Sequence, residues 1–342
     1  MRQKSLIIIL CLSIPLLLLL NLALGSVSIP LSNVINVMLG RSTLNLGMEE
    51  VYTSIILHSR LPQALTAIAC GAGLSAAGLL MQTVFRNPLA GPSVLGISSA
   101  ASLGVACVVL LSGSIGIKVF GSFGMAGNML LTFAAILGAM LAMMLMVFLS
   151  GRVTGRATLL IVGVMIGYIA SAVIGVLKYF SSEEDVHAFV IWGLGSFARV
   201  SGGQVYVFCS LIAIIIPLSM LLIKSLNTML LGDMYAESLG MNVRRTRTLV
   251  IGFAGVLTAI VTAYCGPIMF LGLAVPHICR GLFSTYDHKV LLPASVLCGA
   301  SLALLCNLIG RLPGMDGALP INSVTALIGA PITLQILLKK HK

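Results

Sequence analysis

What most constrains this chain is how far it runs without charge. Leu61–Val84 and Phe123–Leu149 each pass without one charged side chain. A helix needs roughly 20 apolar residues to cross the hydrocarbon of a bilayer. Backbone placed there must satisfy its own hydrogen bonds, which a helix does internally. Apolar runs recur along the sequence at Leu6–Leu20, Leu61–Val84, Val94–Leu111, Phe123–Leu149, Leu159–Phe180, Val205–Ile223, Thr248–Tyr264, Ile268–Leu282, Val290–Ile309 and Val324–Leu338. The expected fold is an all-α integral membrane protein of about ten transmembrane helices, in a single domain over 1–342. Only 8% of residues are charged, against roughly 25% in soluble domains. No stretch is polar enough to form a separate soluble domain.

Charge also sets the expected orientation. With the N-terminus inside and ten spans, fourteen lysines and arginines fall on the inner side and six on the outer. The positive-inside rule then places both termini in the cytoplasm. The net charge of +11 is not a nucleic-acid signal, because no basic patch carries interleaved aromatics and Trp192 is the one tryptophan. The basic start (Arg2, Lys4) and the run from Leu6 to Leu20 resemble a signal peptide, but Leu22-Ala23-Leu24-Gly25 is a poor cleavage site, and an uncleaved first helix is expected. Val27–Ser59 is amphipathic and reads as an external excursion with one or two short helices. The eighth run is short and contains Pro276, so it must be tilted, broken or buried among its neighbours.

One segment is conspicuously polar for its surroundings. Leu230–Gly240 carries Asp233 and Glu237, and Arg244, Arg245 and Arg247 follow. It reads as a short cytoplasmic helix over about 231–240, with Asp233 as N-cap and Gly240 as a left-handed stop. Leu231, Met234, Tyr235, Ser238 and Leu239 form one mostly apolar stripe. A helix this short needs a surface to lie on. The pattern fits a capped connector between spans, and it also fits a helix that inserts into a groove on a cytoplasmic partner.

Small residues are dense in the spans. Ala64–Gly78 reads ALTAIACGAGLSAAG, and Gly163, Gly167, Ser171 and Gly175 recur every four residues. Such residues let membrane helices approach closely, or they leave room along a path for a bulky solute. The eight cysteines lie in or beside apolar runs without a CxxC pair and read as packing residues. No aspartate or glutamate falls within an expected span, which argues against an ion-coupled carrier, the competing class. There is no phosphate-cradling GxxxxGK[ST], no HExxH and no Ser-His-Asp set. The chain is not expected to be an enzyme or to hold a metal or cofactor of its own, and His277 reads as a structural histidine.

Several motifs, in order, carry a family resemblance. Arg86-Asn87-Pro88-Leu89-Ala90-Gly91-Pro92 with Leu95-Gly96-Ile97-Ser98 resembles a signature of the iron-siderophore, haem and cobalamin ABC importer permeases. His58–Pro62 resembles that family's RLPR start of the second helix, with Gln63 where arginine is usual. Leu231–Asn242 resembles its cytoplasmic coupling segment, and Gly266–His277 resembles its G-x-I-x-F-x-G-L-x-x-P-H run. Asp287–Pro293 and Ala326–Pro331 resemble two further motifs. Two more departures stand near the outer face. Asn307 occupies a place where the family often has aspartate, and Ala318-Leu319-Pro320-Ile321-Asn322 stands for E-L-P-x-G.

The resemblance implies a cobalamin-importer-permease-like bundle in the bacterial inner membrane, paired as a homodimer. It implies a cytoplasmic ATPase dimer below, which binds the ATP and Mg, and an extracytoplasmic solute-binding protein above. The cargo implied is a bulky metal chelate, a ferric siderophore or haem first and cobalamin next. Leu231, Gly232, Asp233, Met234, Ala236, Glu237, Leu239 and Gly240 would couple to the ATPase. Arg60 and Arg311, and less directly Arg199, would receive the binding protein. Gly163, Gly167, Ser171 and Gly175 would line the path, and Asn87, Pro88, Pro276 and His277 would be structural.

Overall fold

The computed structural model describes residues 2–40, 48–115, 124–153, 155–312 and 318–339. Among them the chain is helical without strands. Helix α1 (Arg2–Ala23) is followed by the short α2 (Leu31–Met38) and α3 (Met48–Ile55). A π-turn (Ile56–Arg60) joins α3 to α4 (Leu61–Phe85). Then come α5 (Ile97–Ile115), α6 (Gly124–Ser150), α7 (Arg156–Tyr179) and the short α8 (Glu183–Gly193). Next are α9 (Gly203–Met220), α10 (Ile223–Leu230), α11 (Asp233–Ser238) and α12 (Val243–Cys265). Helices α13 (Leu271–Phe283), α14 (His288–Ile309) and α15 (Ile321–Lys339) close the chain. Seven of these segments are long and apolar enough to cross a membrane, and α5, α13 and α15 provide shorter apolar stretches.

The bundle is built around α4, which packs against α9, α12, α13 and α14. Its sequence explains why it can sit there. Gly71 lies so close to α14 that a Cβ would stand 2.1 Å from the Gly299 carbonyl oxygen, and one on Gly78 would stand 1.7 Å from that of Gly272 in α13. The Ala/Gly/Ser run of α4 is therefore packing surface on all sides. A second sheaf, α5 with α6 and α7, uses the same device. Gly104 meets Ala134, and Gly138 meets Ala100. Helix α1 lies on α14, where Ser13 Oγ and Ser301 Oγ are 2.8 Å apart and Asn21 Nδ2 donates to the Leu304 carbonyl at 3.1 Å.

The short eighth run is resolved by burial. Gly266–Phe270 is non-helical, with positive φ at Gly266 and Phe270, and α13 starts after it. Irregular backbone has to find partners for its polar groups outside a helix ladder. The Met269 N–H accordingly donates to Asn322 Oδ1 at 3.1 Å, and the Ser196 N–H donates to the Cys265 carbonyl at 2.8 Å. Two helices were not expected from the sequence. Helix α8 is capped by Ser182, whose Oγ accepts from the Asp185 N–H, and α10 separates the sixth span from the polar segment.

Candidate functional site

The polar segment forms α11, with a correction at its start. Gly232, at φ +118°, occupies the N-cap, and Asp233 is the first helical residue without a side-chain cap bond. Asp233 instead meets Arg247 of α12 at 3.3 Å. The pair is half-screened, so its main effect is to fix the helix against α12 rather than to add much stability. The far end closes in a Schellman turn. The Gly240 N–H donates to the Glu237 carbonyl at 2.9 Å, the Met241 N–H donates to the Ala236 carbonyl at 3.1 Å, and Gly240 takes φ +81°. Ala236 is fully buried against the chain itself, so it anchors α11 and is not offered outward. Leu231, Met234, Tyr235 and Leu239 are 62%, 87%, 56% and 60% exposed, and Glu237 and Ser238 are exposed beside them. A seated helix thus presents an uncovered apolar stripe.

The expected structural quartet converges. Asn87 Oδ1 accepts from the Leu89 N–H at 2.9 Å, making an Asx turn. His277 Nε2 lies 2.7 Å from the Pro88 carbonyl oxygen, which only accepts, so this nitrogen carries the proton. Pro276 lies inside α13, one residue before that contact.

The glycine stripe of α7 divides. A four-residue step turns a helix about 40° past a full circle, so positions twelve apart face different ways. A Cβ on Gly163 would sit 2.6 Å from the Val94 carbonyl oxygen, and one on Gly167 would sit 3.5 Å from Ser99 Oγ. Both pack on the 92–99 segment, Gly163 tightly and Gly167 at ordinary contact distance. Ser171 is exposed, and Gly175 has nothing within 4 Å.

The three arginines expected at the outer face fare differently. Arg60 is 1% exposed. Its Nη1 donates to the Leu22 and Ala23 carbonyls at 2.6 and 2.9 Å, and its Nη2 donates to the Val27 carbonyl. It is a cation capping the C-terminus of α1, and the surface position expected for it is corrected. Arg311 is half-buried, its Nη1 has no partner, and it shares the space above Gly25 with Arg60. Arg199 places its guanidinium 5.6 Å over Trp192 and donates to the Trp192 carbonyl at 3.3 Å, and burial pushes its pKa down to about 10. Arg311 also lines a small open cleft with Gln63, Ser196, Asn307 and Leu319. Two positions that depart from the motif pattern, Gln63 and Asn307, therefore meet in one place. Asn307 turns its amide to Asn21 Oδ1 at 2.8 Å. Among the described residues no group of histidine, cysteine or carboxylate side chains could hold a metal.

The model of the FecCD transport family matches residues 11–339. The "Vitamin B12 import system permease protein BtuC" of Photorhabdus laumondii subsp. laumondii is 37% identical over 296 residues, 86% of this chain and 85% of that protein. The protein of the same name from Escherichia coli O9:H4 (strain HS) is 34% identical over 283 residues, 83% of each chain. A solved metal-chelate type ABC transporter in an inward-facing conformation superposes with a TM-score of 0.82 at 28% identity, covering 98% of this chain and 99% of that one. The complex of PsaBC from Streptococcus pneumoniae with Fab, at 19% identity and a TM-score of 0.54, shares the fold over 85% of this chain and 95% of its own.

Proposed function

The chain belongs to the FecCD transport family and is an ABC importer permease; from that premise we propose that it moves a bulky metal chelate into the cytoplasm by alternating access. The observation that carries this reading is the exposed apolar stripe of Leu231, Met234, Tyr235 and Leu239 on an otherwise anchored helix. Such a stripe needs a cover, and a groove on a cytoplasmic ATPase supplies one. The ATPase binds the ATP and Mg, since this chain has no phosphate-cradling loop. The permease works as a homodimer with ten spans per copy and both termini in the cytoplasm, in the bacterial plasma membrane. The inner-side excess of lysine and arginine supports that orientation. An extracytoplasmic binding protein delivers the solute, and the open positions Ser171 and Gly175 leave room for it.

The family resemblance implies a ferric siderophore or haem first among the cargoes. The names of the two curated relatives move cobalamin ahead of them. The alternative, an ion-coupled carrier, lacks its usual coupling group, because none of the nine acidic residues lies in the apolar middle of a described span. The test is uptake into proteoliposomes holding this chain, its ATPase and internal ATP, without an ion gradient. Cobalamin, haem and a ferric siderophore are each supplied on a binding protein specific for it. ATP-dependent accumulation of one of them is expected. Uptake that requires a gradient and ignores ATP would overturn the reading.

A further inference from the structure

The coupling helix does not join the membrane bundle directly, because α10 stands between α9 and α11. The way α10 is held therefore decides what a displacement of α11 moves. Leu226 and Met229 of α10 are buried. Around them runs a chain of polar contacts that joins the motif residues Arg86, Asp287 and His288 to Asn227 and Thr83, which no motif read in the sequence includes. Asn227 Nδ2 donates to Asp287 Oδ1 at 2.6 Å. That fixes the amide, so Asn227 Oδ1 faces His288 and accepts from its backbone N–H at 2.9 Å and from Nδ1 at 2.7 Å. With the proton on Nδ1, Nε2 of the neutral ring is an acceptor, and Thr83 Oγ1 lies 2.7 Å from it and 2.8 Å from the Leu79 carbonyl oxygen, so the single hydroxyl proton serves one of these two acceptors at a time. Thr83 belongs to the cytoplasmic end of α4, the helix at the centre of the bundle. Three residues on, the Arg86 guanidinium donates to the Met229 carbonyl at the end of α10, at 2.5 Å.

The relay is buried where it matters. His288 is 1% exposed and Thr83 is 4% exposed. Asp287 sits at the surface end, its carboxyl held below the usual range by the Lys289 N–H and the Asn227 amide. The same end of α4 is tied to α13. Gln82 Nε2 donates to the Leu273 carbonyl at 3.1 Å, and Arg280 donates to Gln82 Oε1 at 2.5 Å. Directional bonds resist sliding in a way that apolar contacts in a membrane do not. A buried relay transmits position only while every member keeps its partner.

We propose that Asn227, His288 and Thr83 form a transmission latch, a set of positioning residues that carries the displacement of the coupling helix through α10 into α4 and so sets how much solute moves per ATP. The proposal rests on the importer reading. Its readout is the ratio of solute imported to ATP hydrolysed in the reconstituted complex with its ATPase and binding protein. Thr83→Val keeps the shape and removes the hydroxyl that meets Nε2, and it should lower the ratio by about fivefold, the equivalent of one buried hydrogen bond. Asn227→Ala removes both bonds to His288 and should lower it by about 25-fold. Thr83→Ser restores the hydroxyl and should restore the ratio. ATPase assembly and hydrolysis without the binding protein should persist in all three. An unchanged ratio in Thr83→Val and Asn227→Ala overturns the latch. Loss of folding or ATPase assembly in Thr83→Val overturns it as well, because the contact would then be structural. Failure of the unaltered complex to couple ATP to uptake would instead sink the importer reading itself.

Discussion

At the scale of single residues, small side chains do two separable jobs. Gly78 is a packing residue, since any Cβ would meet the Gly272 backbone, which cannot move aside. Gly78→Ala should cost at least about 3 kcal/mol, at the upper end for overpacking, and should lower the melting temperature in detergent sharply. Gly175 has open space around it. Gly175→Ala should leave melting unchanged or slightly raise it, because alanine favours the helix. Gly175→Trp should leave melting unchanged and block uptake if that face lines the path. Normal uptake by a stable Gly175→Trp protein would remove Gly175 from the path. The two glycines look alike in sequence. What separates them is which backbone passes within reach, and one chain position carries no record of that.

At the scale of elements, α11 is short, anchored and uncovered. Ala236 and the Asp233–Arg247 pair hold it to the bundle, while Met234 faces outward. Met234→Glu should weaken assembly with the ATPase by tenfold or more, on the order of 2 kcal/mol for an apolar anchor at the centre of an interface. The stability of the permease alone should be unaffected. Equal loss of both would mean that the helix is merely a connector. Gly240→Val acts on the Schellman turn, where a branched side chain at positive φ costs roughly 1–2 kcal/mol, and it should reduce uptake driven by ATP. The helix itself, its apolar stripe and its glycine stop were legible in the sequence, because helical spacing and left-handed glycine are local properties. Its N-cap was not. Asp233 is spent on Arg247, fourteen residues away, and that partner is a matter of how α11 folds back onto α12.

At the scale of the whole molecule, the fold separates arginines that look equivalent in sequence. Arg60 is consumed by the end of α1, whereas Arg311 opens onto the cleft beside Gln63 and Asn307. Arg311→Glu should slow association of a binding protein, most clearly at low ionic strength where charge steering is strongest. Hydrolysis without that protein should persist. Association kinetics that are unchanged at low salt would exclude Arg311 as a docking contact. Arg60→Ala should act through stability instead, by about 3 kcal/mol, because three carbonyls lose a charged donor, and it should be read by melting and not by docking kinetics.

The sequence by itself determined that this is a helical membrane protein, roughly where its helices run, and which short helix stands out as polar. Apolar run length, small-residue content and glycine at a left-handed stop are read within a turn or two of chain, so no tertiary knowledge is needed. Only the tertiary structure decided that α4 is the buried centre, that Arg60 caps another helix, that the α7 stripe is half packing and half open, and that Asn227, His288 and Thr83 meet. Those residues lie up to 205 positions apart. Hydrogen bonds and close backbone approaches between such positions are set by how the helices cross, and helical periodicity along one segment carries nothing about the neighbour it will meet.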